Sequence, residues 1–169
     1  MPTTTPSRRS GGESPGPGRG RTRPTAAPPT TTPDHLRVLI YTDGAARGNP
    51  GPAGAGAILR DAQTGEALAE IAEFLGVRTN NYAEWTAVEL ALEEALRLGA
   101  THVDLRLDSE LVARQISGRY RVKHPDLKPI HARVMGQLAR LAGYTVGHVP
   151  RELNKEADRL SNVAIDGPT

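Results

Sequence analysis

The sequence contains no cysteine. That excludes a disulfide framework, a thiolate zinc site, an iron-sulfur cluster and a cysteine nucleophile, so any metal must be held by oxygen or imidazole. No window approaches the eighteen or so uninterrupted apolar residues of a membrane helix, and no apolar run follows the first arginines as it would in a secretory signal. A membrane protein is therefore not expected, and a cytoplasmic location is the default. Acidic and basic residues nearly cancel, for a formal net charge of +2 in 169 residues, but the balance is uneven. Residues 1–35 hold five of the 21 basic residues and two of the 19 acidic ones, a balance of +3, which leaves −1 for the rest.

Those first 35 residues also lack valine, isoleucine, leucine and aromatic residues, and 24 of them are Pro, Gly, Ser or Thr. Such a stretch cannot bury enough apolar surface to offset about 1–2 kcal/mol of backbone entropy per residue. Residues 1–35 are thus predicted to be a disordered Pro/Thr/Gly/Arg-rich tail, and 36–169 a single domain.

Patterning within 36–169 predicts an α/β fold. The run from Leu36 to Asp43 suits a central strand ending at an acid, with strand signals following at Ala55–Arg60 and Ala67–Leu75 around a turn at Asp61–Gly65. From Asn81 to Leu98 the apolar spacing turns helical, with Ala83, Ala87, Leu90, Ala91, Ala95 and Leu98 on one stripe, Asn80 or Asn81 as cap and Gly99 as stop. A strand over 101–108, a short helix after Ser109, a helix over 128–142, a strand from Gly143 to Val149 and a helix over 154–165 complete the outline. Short turns make the first three strands antiparallel. The expectation is a five-stranded mixed sheet, its last two strands parallel to strand one, with helices on its faces.

Placed on this outline, Asp43 and Asp108 close two strands at one rim, while Glu84 and Asp158 lie in the first turns of two helices. Four carboxylates meeting without a dedicated lysine or arginine must take up protons or cations. Oxygen-only ligation favours Mg2+ or Mn2+. The glycine-rich stretch after Asp43 lacks the Gly-Lys-Ser/Thr ending of a phosphate loop and the glycine spacing of a dinucleotide fingerprint.

The surrounding motifs resemble those of the type 1 ribonucleases H, over Leu36 to about Ile165. They are YTDGAARGNPGPAGAGAIL, RTNNYAEWTAVELALEEAL, LDSELV and GHVPRELNKEADRLSN, in the family's order. The resemblance implies the ribonuclease H-like fold and an endonuclease that hydrolyses the RNA strand of RNA/DNA hybrids, leaving 5′-phosphate and 3′-hydroxyl ends. It implies two Mg2+ ions, with Mn2+ as a substitute, held by Asp43, Glu84, Asp108 and Asp158, and a role for His148 in proton transfer or product release from a loop before the last helix. It further implies that Asn49, Asn80 and Asn81 read 2′-hydroxyls, which only the RNA strand carries. Thr79 matches a position that holds a DNA-strand phosphate. A monomer is expected.

Three departures stand out. Val77 occupies the place of the family's phosphate-pocket arginine, with Arg78 beside it as a substitute. Glu110 stands where many members have glutamine. The basic protrusion of the longer enzymes is missing, as in the family's short branch, leaving Arg119, Arg121, Lys123 and Lys128 as candidate contacts. The tail, having no aromatic residue, does not resemble the hybrid-binding module found ahead of some relatives. Two other readings compete: a non-catalytic nucleic-acid-binding module, and another nuclease on the same scaffold such as a DNA exonuclease or junction resolvase.

Overall fold

The computed structural model describes residues 35–167, so the tail expected at residues 1–35 lies, apart from His35, outside the described residues. The elements run β1 (Leu36–Ala46), β2 (Gly51–Asp61), β3 (Ala67–Arg78), α1 (Asn80–Arg97), β4 (Ala100–Leu107), α2 (Glu110–Ile116), α3 (Lys128–Ala139), β5 (Gly143–His148) and α4 (Lys155–Asp166), with a 3-10 turn at Arg151–Leu153. The strands form one sheet in the order β3-β2-β1-β4-β5. Hairpin pairing makes β1, β2 and β3 antiparallel, and β4 and β5 join parallel to β1. This is the expected sheet.

Val38 and Ile40 of β1 and Val103, Leu105 and Leu107 of β4 point to one face of the sheet, where α1 and α3 cover them with Trp85, Val88, Leu92, Ile130, Val134 and Leu138. The buried arc of α1 is wider than the expected stripe. It includes Trp85, Val88 and Leu92, whereas Leu90 is only half buried, because the helix packs on the sheet and on α3 at once. Helix α4 covers the other face with Ala157, Leu160, Ser161 and Ala164. Its approach to β2 depends on missing side chains: a Cβ on Gly56 would stand 2.4 Å from the Ala157 carbonyl oxygen. Among the described residues no helix is long and apolar enough to cross a membrane.

Two expected boundaries move. The turn-rich residues after Asp43 remain in β1, because pairing with β2 continues through Ala46↔Ala53. Helix α1 is capped by Thr79, not Asn80 or Asn81: Thr79 is extended (φ −81°, ψ 163°) and its hydroxyl accepts from the Tyr82 N–H at 3.1 Å. Asn80 cannot cap, since its Oδ1 already accepts from the Ala46 N–H at 2.9 Å.

Candidate active site

Parallel pairing of β1 with β4 ends at Thr42↔Leu107, so the next residues, Asp43 and Asp108, flank a cleft where β4 ends and β1 runs on with β2 alone. Ligands of open α/β sheets bind at such a place. Glu84 reaches the same cleft from α1, because β1 and α1 come very close: a Cβ on Gly44 would be 2.2 Å from the Ala83 carbonyl carbon. The Gly44 N–H donates to Glu84 Oε1 at 3.2 Å. With the cap at Thr79, Glu84 falls in the second turn of α1, and the first turn holds no acid.

Asp43, Glu84 and Asp108 bring carboxylate oxygens within 4.8 Å of one another. Asp158 stands outside this trio, in the first turn of α4, yet near enough for its charge to act on Asp43. Among the described residues, none of the ion pairs involves any of these four acids. The electrostatic result is a site short of positive charge. Burial, then the nearby Asp108 charge, pushes the Asp43 carboxyl up to about 8, against a partial offset from the Ser161 hydroxyl. Glu84 is also held well above the usual carboxylate range, by burial first and then by Asp43 and Asp108, with Gly44 N–H and the Arg151 charge opposing. An all-oxygen donor set in which burial and neighbouring acids keep protons on Asp43 and Glu84 fits a hard divalent cation, which would replace those protons.

Two positioning groups were not legible as such in the sequence. Ser161, fully buried, places its Oγ 2.8 Å from Asp43 Oδ2 and 2.8 Å from the Asp158 carbonyl oxygen. One hydroxyl proton serves both acceptors in turn. It points to Asp43 when that acid is charged; when Asp43 is protonated the acid donates to Oγ and the hydroxyl turns to the helix carbonyl. Asn154, also buried, donates from Nδ2 to the Thr42 carbonyl at 2.9 Å, tying the start of α4 to the residue before Asp43. A mid-helix serine reads as solvated and an asparagine at a helix start as a cap, and only the α4 docking reveals these partners.

His148 is not on a loop. It is the last residue of β5, paired with Leu107, and the Val149 N–H extends the ladder to the Leu107 carbonyl at 2.8 Å. Its exposed ring lines a groove of about 540 Å3 with Glu110, Arg114 and Arg119. Glu110 is paired with Arg114, whose hydrogen bond holds its carboxyl below the usual range.

On the other side of the cleft, Asn49, Thr79, Asn80 and Asn81 line one groove of about 550 Å3, with Arg78 and Tyr82. The Asn80 N–H donates to Asn49 Oδ1 at 3.0 Å, joining the β1–β2 loop to α1. Arg78 lies 4.4 Å over the Tyr82 ring, while Val77 is 68% exposed. Arg119, Arg121 and Lys123 are exposed on the connection between α2 and α3, and Lys128 is exposed at the start of α3.

Residues 41–164 match the family model described as Reverse transcriptase-like. A bifunctional protein of Mycobacterium tuberculosis is 42% identical over 131 residues, covering 78% of this chain but 36% of that protein. The chain thus spans little more than a third of that relative. The structure of its N-terminal RNase H domain superposes with a TM-score of 0.76 over 100% of that domain. Ribonuclease HI of Halobacterium salinarum is 42% identical over 77% of this chain and 65% of its own length. Its crystal structure gives a TM-score of 0.74 over 98% of the solved chain. A ribonuclease H1 isolated from compost, solved in complex with an RNA/DNA hybrid, gives 0.72 at 42% identity, over 76% of this chain and 96% of that one.

Proposed function

Because the chain belongs to the ribonuclease H family, we propose that it is an endonuclease that hydrolyses the RNA strand of RNA/DNA hybrids, leaving 5′-phosphate and 3′-hydroxyl ends. The observation that carries this reading is the meeting of Asp43, Glu84 and Asp108 without a basic partner, beside a groove lined by three asparagines.

Asp43, Glu84, Asp108 and Asp158 would hold two Mg2+ ions, with Mn2+ as a substitute. Such ions, when bound, neutralise charge on the phosphoryl oxygens and lower the pKa of water. The remaining steps belong to the chain. Asp43 is anchored through Ser161 to α4, so the two walls of the cleft keep a fixed separation. Fixed geometry matters because hydrolysis in line with the leaving oxygen depends on orientation of the attacking group. His148, exposed at the end of β5, assists proton transfer or product departure.

Selectivity comes from the second groove. The amide groups of Asn49, Asn80 and Asn81 both donate and accept, as a reader of 2′-hydroxyls requires. Thr79 takes a phosphate of the DNA strand, with Arg78 supplying the charge that Val77 cannot. Arg119, Arg121, Lys123 and Lys128 contribute backbone contacts in place of a protrusion, each adding to the salt dependence of binding. The reading includes one catalytic domain from residue 36, a monomer working in the cytoplasm, preceded by a solvated tail.

The test is cleavage of a labelled hybrid, a DNA duplex and an RNA duplex of the same sequence with Mg2+, Mn2+ or chelator. Metal-dependent cuts confined to the RNA strand are expected, abolished in Asp108→Asn with hybrid binding retained. Binding without cleavage by folded protein in either metal would instead support a non-catalytic nucleic-acid-binding module.

A further inference from the structure

The loop that carries Asn49 has a second anchor, outside the groove. Arg47 follows β1 directly, and its backbone N–H donates to the Pro52 carbonyl at 2.8 Å, closing the loop at its base. The closure is tight: a Cβ on Gly51 would lie 2.1 Å from the Arg47 carbonyl oxygen. The Arg47 side chain turns away from the groove toward the last turn of α4. There one guanidinium nitrogen, Nη1, pairs with Asp166 Oδ1, while Nη2 donates to Asp166 Oδ2 at 3.1 Å and to Asn162 Oδ1 at 3.0 Å. The planar fork therefore meets three acceptors from one helix turn. From the opposite side, Asn80 fixes the same loop twice, through the Ala46 N–H and Asn49 Oδ1.

We propose that Arg47 is a positioning residue: it clamps the Asn49 loop to α4 and thereby sets how well the groove separates an RNA-bearing duplex from DNA. The proposal rests on the hybrid-cleaving reading above. Its physical basis is geometric. An exposed ion pair contributes little to overall stability. Without the side-chain fork the loop keeps its Pro52 closure and its Asn80 contacts, but nothing ties its outer side to α4, and Asn49 gains room to shift relative to Asn81. Helix α4 also carries Asp158 and Ser161, so the clamp refers the reading loop to the same rigid body that anchors Asp43.

The experiment uses the full chain with Arg47→Ala, Asp166→Asn, their combination and the exchanged pair Arg47→Asp with Asp166→Arg. Cleavage kinetics on the hybrid are joined by equilibrium binding of hybrid and DNA duplex in an Asp108→Asn background. Each single change is expected to raise KM about three- to tenfold with kcat within about twofold, and to lower the preference for hybrid over DNA by a similar factor. The combination should be no worse than either alone, because both break one contact, and the exchanged pair should regain part of the loss. Circular dichroism should show the same fold and melting temperature throughout.

Tighter hybrid binding by Asp166→Asn would overturn the proposal, since it would mean that a released Arg47 grips phosphate directly. Unchanged KM and preference in Arg47→Ala would overturn it as well. If the unaltered protein binds but does not cut, the catalytic reading fails, while the binding preferences still decide the role of Arg47.

Discussion

Replacing Asp43 by asparagine should stabilise the protein at neutral pH in the presence of a chelator, although it removes a central residue of the site. The folded state raises the Asp43 carboxyl from 3.8 to about 8. Between those values the folded chain holds a proton that the unfolded chain releases, so stability falls as pH rises, by about 1.4 kcal/mol per unit for one such group. From pH 5.5 to 7.5 the loss is up to about 3 kcal/mol, or roughly 10 °C in melting temperature for a domain of this size. Asparagine has the shape of the protonated acid and, like it, donates to Ser161 Oγ, but carries no charge to bury. Asp43→Asn should therefore already melt several degrees above the unaltered protein at pH 5.5, where the unfolded acid is ionised, and further above it at pH 7.5, the two converging only near pH 3.8. A shallower slope should remain from Glu84, whose carboxyl is also held high. Millimolar Mg2+ should raise the melting temperature of the unaltered protein at pH 7.5 far more than that of the variant, because a cation bound only by the folded state stabilises it. Thermal melts at four pH values, with chelator and with Mg2+, measure all of this. Parallel pH profiles for the two proteins, or a less stable variant at pH 7.5, would refute the account of the site as a charge-starved cluster.

Other outcomes follow from the same structure. Asn80→Ala removes the acceptor for Ala46 and a candidate 2′-hydroxyl contact, so competition binding should show a smaller preference for hybrid over DNA duplex; unchanged selectivity would remove Asn80 from the reading role. Gly56→Ala forces a methyl group against the Ala157 carbonyl at 2.4 Å, and denaturant titration should find a loss of about 2 kcal/mol or more as α4 is pushed outward. Removing residues 1–35 should leave the melting transition in place and reduce hybrid affinity only at low salt, which titrations at two ionic strengths would show. Loss of the transition would mean that the tail is part of the folded domain.

Much of this arrangement could be read from residue order, and the exceptions have physical causes. The apolar run through Val38 and Ile40 and the alternation of Val103, Leu105 and Leu107 mark strands because each buries one face or both. The four acids are visible because their neighbours repeat a family pattern. What the one-dimensional pattern hides is docking. Glycine and alanine after Asp43 look like turn residues, yet they extend β1 because β2 pairs with them as far as Ala46, and the missing side chain of Gly44 lets α1 close on the strand. Trp85 and Leu92 fall outside a single-sided stripe because α1 touches two layers. Thr79 displaces the asparagines as cap because Asn80 is occupied by β1, a partner 34 residues away. His148 falls inside the strand read from Gly143 to Val149, and it is the loop placement implied by the resemblance that the ladder to Leu107 corrects.

The trio of carboxylates is assembled from β1, α1 and the end of β4, and the fourth acid arrives on α4, 115 positions after Asp43. During synthesis, β1 emerges early but cannot receive its Ser161 partner until nearly the whole domain has been made. A growing chain therefore exposes an incomplete basket for most of its time on the ribosome. Any metal chemistry of the cluster would wait for α4 to dock, so completing the fold and completing the site are one event.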